Sequence, residues 1–222
     1  MIREASAGAI EGMEAETEVN AMTKATIRIG VLALQGDFAA HARAIEEVGG
    51  DPIEVRRPAE LRRVRGLIMP GGESTTLLRL IREYGFDEAI PDFHASGRLL
   101  YGTCAGLIIL AREVLDPAQE SLGLLDVVVR RNAYGRQVDS FIDIGTIRVN
   151  GGAPTSSEMV FIRAPRIVRV GDGVDVIGDL NGEPTLVRQG TIWGGTFHPE
   201  LSKPLTVHKR FVDLAAGVEW KE

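Results

Sequence analysis

One cysteine, Cys104, stands in a chain of 222 residues, so no disulfide can close within it. No Cys/His spacing resembles a zinc site, and the acidic residues Asp172, Asp175 and Asp179 lack the spacing of an EF-hand loop. No metal is expected. Basic excess is also missing: 25 Lys and Arg against 31 Asp and Glu leave a formal net charge of -6, the wrong sign for a nucleic-acid binder. No apolar run reaches the roughly 20 residues that span a bilayer, and no basic-then-apolar leader opens the chain. No membrane partner is expected, and the location expected is the cytoplasm.

Internal repeats and domain-boundary linkers are absent too. The first residues, "MIREASAGAIEGMEAETEVNAMTKAT", are rich in Ala, Glu and Gly and bury little surface. The expected division is therefore a disordered extension over 1–25 and one domain over 26–222, with Met22 a candidate start of translation.

What is present begins at Ile27. "IRIGVLAL" reads as a buried parallel strand, Asp37 as the cap of a helix over 38–48, and Gly49-Gly50 as its end. "PIEVRR" and "GLIMP" are strands; "TLLRLIREYG", capped by Ser74 or Thr75, is a helix. A further helix precedes the strand "RLLYGT", and "AGLIILAREV" follows it as a helix. After Pro117 come short strands: "LDVVVRR", "FIDIGTIRV", "MVFIRAP", "VDVIGDL", "PTLVRQ" and "TIWGGTFH". A last helix runs from about 203 to 216, with Pro204 near its first turn. This alternation predicts a three-layer α/β fold: a mainly parallel central sheet, helices on both faces, and a small antiparallel strand layer.

Cys104 sits in "GTCAGL", between a strand and a helix. That is the glycine–x–nucleophile–x–glycine elbow in its proper context, and a helix N-terminus favours thiolate. A small inert core residue is the alternative, common for free cysteine. A nucleophile needs a base with an orienting group. His41, His94 and His208 read as solvated helix positions. His198, in "TIWGGTFHPEL", lies at a strand end where α/β proteins build sites. If the chain stays extended through Pro199, Glu200 points to the same side and can hold the ring; taken alone, it reads as a surface residue. "MPGGEST" supplies a glycine turn whose N–H groups, with that of Ala105, suit an oxyanion hole. A plain tight turn is the alternative, and the missing Lys argues against a phosphate loop.

In order, "GVLALQGDFAAH", "PGGEST", "GTCAGL", "RNAYGRQVDSF", "FIRAP" and "FHPEL" resemble the class I, triad-type glutamine amidotransferases. More narrowly, they resemble the glutaminase subunits of pyridoxal 5'-phosphate synthases. The resemblance implies that Cys104 attacks the side-chain carbonyl of L-glutamine. It implies that His198 moves the proton, that Glu200 orients His198, and that water frees glutamate from a thioester. It further implies that Gly72, Glu73 and Ser74 bind glutamine and shape the oxyanion hole, with Arg131, Ile162 and Arg163 completing the pocket. No cofactor is implied. The implied partner is a (β/α)8-barrel synthase subunit that consumes the ammonia, with the Gln35-Gly36 loop taking part in docking or pocket formation. The rival readings are a glutaminase serving another synthase, an elbow-cysteine hydrolase working alone, and an idle binding subunit.

Overall fold

The computed structural model describes residues 26–131, 140–148 and 153–217. The segment 1–25 and most of "RNAYGRQVDSF" (132–139) lie outside the described residues.

The elements follow in the order β1 (Arg28–Leu32), α1 (Phe38–Glu47), β2 (Asp51–Val55), a 3-10 turn (Pro58–Arg63), β3 (Gly66–Met69), α2 (Ser74–Glu83) and α3 (Phe86–Ala95). Then come β4 (Leu99–Thr103), α4 (Ala105–Leu110), β5 (Ala111–Leu115), β6 (Leu125–Arg130), β7 (Ser140–Ile147) and β8 (Thr155–Ile162). The chain continues through β9 (Arg166–Val170), β10 (Asp175–Leu180), β11 (Glu183–Gln189), β12 (Ile192–Gly195) and α5 (Thr206–Ala215).

Nine strands form one sheet in the order β2-β1-β3-β4-β12-β11-β10-β7-β8. From β2 to β12 every pairing is parallel, and from β12 to β8 every pairing is antiparallel. The parallel half has near-continuous apolar strands, as expected of strands covered on both sides. Alternation sorts their side chains. Leu32, Leu67, Met69 and Leu100 join one cluster with Leu77, Ile81, Phe86 and Phe93 from α2 and α3. Ile29, Val31, Ile68 and Tyr101 join another with Ile45 of α1 and Val207 and Phe211 of α5. Helices therefore cover both faces, as the alternation implied.

Four expectations need correction. The helix after Cys104 ends at Leu110, because 111–115 leave it to pair with β6: Ala111 opposes Leu125 and Val114 opposes Val129. The helical periodicity of "AGLIILAREV" is overridden by that tertiary pairing. The small sheet β5-β6-β9 is thus mixed, since β5 runs parallel to β6 and only β9 runs antiparallel. The cap of α2 is Glu73, whose carboxylate accepts from the N–H groups of Thr75 at 3.0 Å and Thr76 at 2.7 Å.

At the other termini, Asp37 caps α1, accepting from Ala40 N at 3.4 Å. Helix α5 starts at Thr206, beyond Pro204 rather than around it.

Candidate active site

The parallel strands all end on one edge, and the candidate residues gather there. Strand β3 runs into Gly71 and Gly72, β4 into Cys104, and β12, the neighbour of β4, leads through Thr196 and Phe197 to His198. Between them lies a cleft of about 290 Å³, lined by Gly71, Gly72, Glu73, Cys104, Arg131 and His198 among others. Ser74, Ile162 and Arg163 also line it. Ala105 is fully buried as the first residue of α4, and Glu200 lies behind His198 rather than in the wall. Gly71, expected as part of the glycine turn, Asp37, expected only as a helix cap, and Ile108 and Leu201, which sequence reasoning missed, complete the lining.

Cys104 has φ 49° and ψ -103°, a backbone conformation that side chains rarely adopt. The strain follows from turning directly out of a central strand into a helix, and it holds the sulfur at the strand end. Its N–H donates to Gly195 O at 2.8 Å, and its Sγ lies 3.9 Å from Ile162 O. Gly71 fits between the two candidate reactants. A Cβ there would stand 2.5 Å from His198 Cε1 and 3.3 Å from Cys104 Cβ.

The His198–Glu200 contact forms by a route other than the expected one. The chain does not stay extended: it turns at Pro199, and the Leu201 N–H closes on His198 O at 3.1 Å. The turn still brings Glu200 under the ring, where His198 Nδ1 donates to Oε1 at 2.7 Å. His198 Nε2 is buried without a hydrogen-bond partner among the described residues. Burial disfavours a charged ring, but Cys104 and Glu200 outweigh it and raise the His198 pKa to about 10. For Glu200, burial works upward, yet His41 and His198 hold its pKa near 2.

His41 and His208 are not solvated. Both are fully buried, on the apolar faces of α1 and α5. His41 Nε2 lies 3.3 Å from Glu200 Oε2, and its Nδ1 lies 3.0 Å from His208 Nε2. The signal was present: His41 is spaced with Ala44 and Ile45 at i+3 and i+4, the inward stripe of α1. Burial lowers both pKa values, that of His208 to about 3.

These shifts set a pH profile for stability. Glu200 has a depressed pKa, so its contribution is present above pH 4.5 and lost as pH falls toward 2. His208 is buried neutral, so the unfolded chain takes up a proton first below pH 6.5 and stability falls from there toward pH 3. That group alone gives a slope of about 1.4 kcal/mol per pH unit. His198 has a raised pKa, so its contribution is complete below pH 6.5 and lost as pH rises toward 10. The expected result is a maximum of the urea midpoint near pH 6.5, with an acid limb that His208→Phe flattens. A midpoint unchanged between pH 6.5 and 4 contradicts it.

On the opposite wall, Glu73 is held at a pKa of about 2, burial being outweighed by hydrogen bonds from Thr76 and Thr75. Arg131 Nη2 lies 3.7 Å from Glu73 Oε1, so a cation and an anion face the same cleft. Ser74 Oγ donates to Gln119 Oε1 at 2.9 Å, and Glu73 N donates to Gln35 Oε1 at 3.2 Å. The Gln35 loop thus reaches the cleft and engages one of the N–H groups expected to serve an oxyanion. Among the described residues, no His, Cys, Asp and Glu group is suited to a metal ion.

Comparison with known proteins gives the same direction. The model of the SNO glutamine amidotransferase family matches residues 31–216. A protein of Koribacter versatilis named "Pyridoxal 5'-phosphate synthase subunit PdxT" is 49% identical over 188 residues, 85% of this chain and 95% of its own length. A protein of the same name from Kosmotoga olearia is 47% identical over 194 residues, 87% of this chain and all of its own length. Among solved structures, one described as a glutamine amidotransferase superposes with a TM-score of 0.78 at 44% identity. It covers 86% of this chain and 99% of its own. PurLQS from Thermotoga maritima shares the fold, with a TM-score of 0.63 at 19% identity, over 86% of this chain and 97% of its own.

Proposed function

The chain belongs to the SNO glutamine amidotransferase family, and from that membership we propose that it is the glutamine-hydrolysing subunit of a pyridoxal 5'-phosphate synthase. The single observation that carries the chemistry is the line Cys104, His198 and Glu200 at one strand edge, opening on a cleft with charges of both signs.

In this reading L-glutamine enters between the Arg131–Glu73 wall and Cys104. Arg131 offers donors to the substrate carboxylate and Glu73 an acceptor for its ammonium, while Gly72, Ser74, Ile162 and Arg163 complete the pocket. The Cys104 sulfur attacks the side-chain carbonyl carbon, and the thiol proton passes to His198. Cys104 and Glu200 favour the charged ring, so the proton, once on His198, is held beside the sulfur as an imidazolium–thiolate pair from which the attack proceeds. The tetrahedral oxyanion is met by backbone N–H groups of Ala105 and of the Gly72-Glu73 turn, where the Glu73 N–H must first leave Gln35 Oε1. As it collapses, the C–N bond breaks and His198 returns the proton to the departing ammonia. Water then attacks the thioester with His198 as base, releasing glutamate and restoring the thiol. Glu200 fixes the ring throughout, holding Nδ1–H so that Nε2 does the transfer.

Ammonia set free in water is protonated and lost as a nucleophile, so hydrolysis is useful beside a consumer. We therefore assign as partner a (β/α)8-barrel synthase subunit, and the cytoplasm as the compartment. No helix among the described residues is long and apolar enough to cross a membrane. Residues 26–222 are taken as one functional unit, because the large sheet draws strands from β1 through β12.

The test is glutamate release from L-glutamine with and without the barrel subunit. Release that rises on adding the barrel is expected. Hydrolysis at full rate alone and indifferent to the barrel would point instead to a self-sufficient hydrolase.

A further inference from the structure

We propose that His41 is a positioning residue for glutamine hydrolysis, holding the second oxygen of Glu200 from the far side, with His208 holding His41 in turn. This rests on the reading of Cys104, His198 and Glu200 as the reacting group.

The geometry fixes the proton on each ring. Glu200 is fully buried at its side chain and, as a carboxylate, only accepts. Its Oε1 takes the His198 Nδ1–H, which leaves Oε2 facing His41 Nε2 at 3.3 Å. For that approach to be favourable, Nε2 of His41 must carry the hydrogen. A neutral His41 then has Nδ1 free to accept, and His208 Nε2 at 3.0 Å must donate to it. Thr103 Oγ1, 3.3 Å from His41 Nε2, accepts from the same N–H. The chain of donors thus runs toward Glu200, from His208 through His41 on one side and from His198 on the other; the His41 N–H makes its hydrogen bond to Thr103 Oγ1 and meets Glu200 Oε2 as a close polar contact.

The arrangement solves a specific problem. A buried carboxylate with one partner keeps its second oxygen desolvated and free to rotate toward other donors. Hydrogen-bonded by His198 at one oxygen and approached by the His41 ring at the other, the carboxylate is disfavoured from turning away, so His198 keeps the orientation that the reaction needs. His41 touches neither sulfur nor cleft, and its effect is transmitted through Glu200. The same design recurs where a ligand or base is oriented by a further shell of hydrogen bonds.

The test uses the chain in complex with the barrel synthase subunit and compares two amides at position 41. In His41→Gln the side-chain NH₂ reaches the place of Nε2 and still donates to Glu200. In His41→Asn it reaches only the place of Nδ1. Glutamine hydrolysis should keep most of its kcat with Gln and lose about 10- to 100-fold with Asn, KM staying within about twofold in both. Equal kcat for the Asn variant and the wild type overturns the proposal, as does equal loss in both variants at unchanged thermal stability. If neither variant folds, His208→Phe decides: it removes the donor to His41, and an unchanged kcat there overturns the proposal. Cys104→Ala runs alongside. Activity persisting in that variant would mean that the underlying assignment of the nucleophile fails, a different outcome from full activity in His41→Asn with a dead Cys104→Ala.

Discussion

Cys104→Ala is expected to bring glutamate release by the assembled complex down to background, a fall on the order of 10⁴-fold or more in kcat. In the proposed reaction the sulfur is the atom that forms the bond, and no other thiol exists in the chain to replace it. The fold should barely notice. The backbone at this position is strained at φ 49° for any residue bearing a Cβ, so Ala carries the same penalty as Cys. The substitution removes the 3.9 Å approach of Sγ to Ile162 O, while the N–H bond to Gly195 O stays. Stability should therefore shift by less than about 1 kcal/mol. Glutamate release and a thermal melt on the same sample check both halves. A variant retaining more than about a hundredth of wild-type activity contradicts the role given to this residue. A dead variant that is also unfolded leaves the second half refuted.

Gly106→Ala should damage both fold and activity, against the usual sign of the substitution. In an ordinary helix this change stabilises by about 1 kcal/mol. Here a Cβ would stand 2.1 Å from Met69 O and 2.9 Å from Met69 C, which is backbone at the end of a buried central strand. A strand hydrogen-bonded on both sides cannot yield, so α4 must lift away from it. Cys104 is the residue from which α4 starts, and it moves with the helix. The expected loss is about 1–3 kcal/mol of stability and on the order of 100-fold in hydrolysis. Gly49→Ala is the control. A Cβ at Gly49 meets nothing within 4 Å, so the cost there is the backbone strain of φ +88°, about 1–2 kcal/mol, with activity intact. Denaturant midpoints and kcat for the two variants separate steric displacement of the elbow from simple loss of stability. Full activity in a well-folded Gly106→Ala would contradict the coupling.

How much of this is legible in the sequence depends on how local the determinant is. Cys104 announces itself through two glycines and a strand-to-helix junction, all within a few residues. His198 does so through its place after an apolar strand. Glu200 meets His198 as expected, but by another route. Extended chain would set it on the same side as His198, whereas a turn at Pro199 carries the carboxylate beneath the ring. The 111–115 stretch reads as helix because its partner, β6, begins ten residues further on and leaves no mark on the local periodicity. His41 and His208 read as solvated for a related reason. They are 167 residues apart, and only the packing of α1 and α5 against one face of the sheet makes them neighbours. The helical stripe of α1 would bury His41, but a polar residue on an apolar stripe is ambiguous until its partner is known.

The pairing of β12 with β4 sets a timetable for the newborn chain. Cys104 and His198 are separated by roughly 90 residues, and the strand that carries the base to its place is among the last made. At about 5–20 residues per second, the thiol emerges from the ribosome some 5–20 seconds before its imidazole. During that interval strands β1 to β4 can already associate, yet nothing on them can split glutamine. On the proposed roles of Cys104 and His198, the protein withholds its chemistry until β12 takes its place between β4 and β11. An unfinished chain would spill no ammonia.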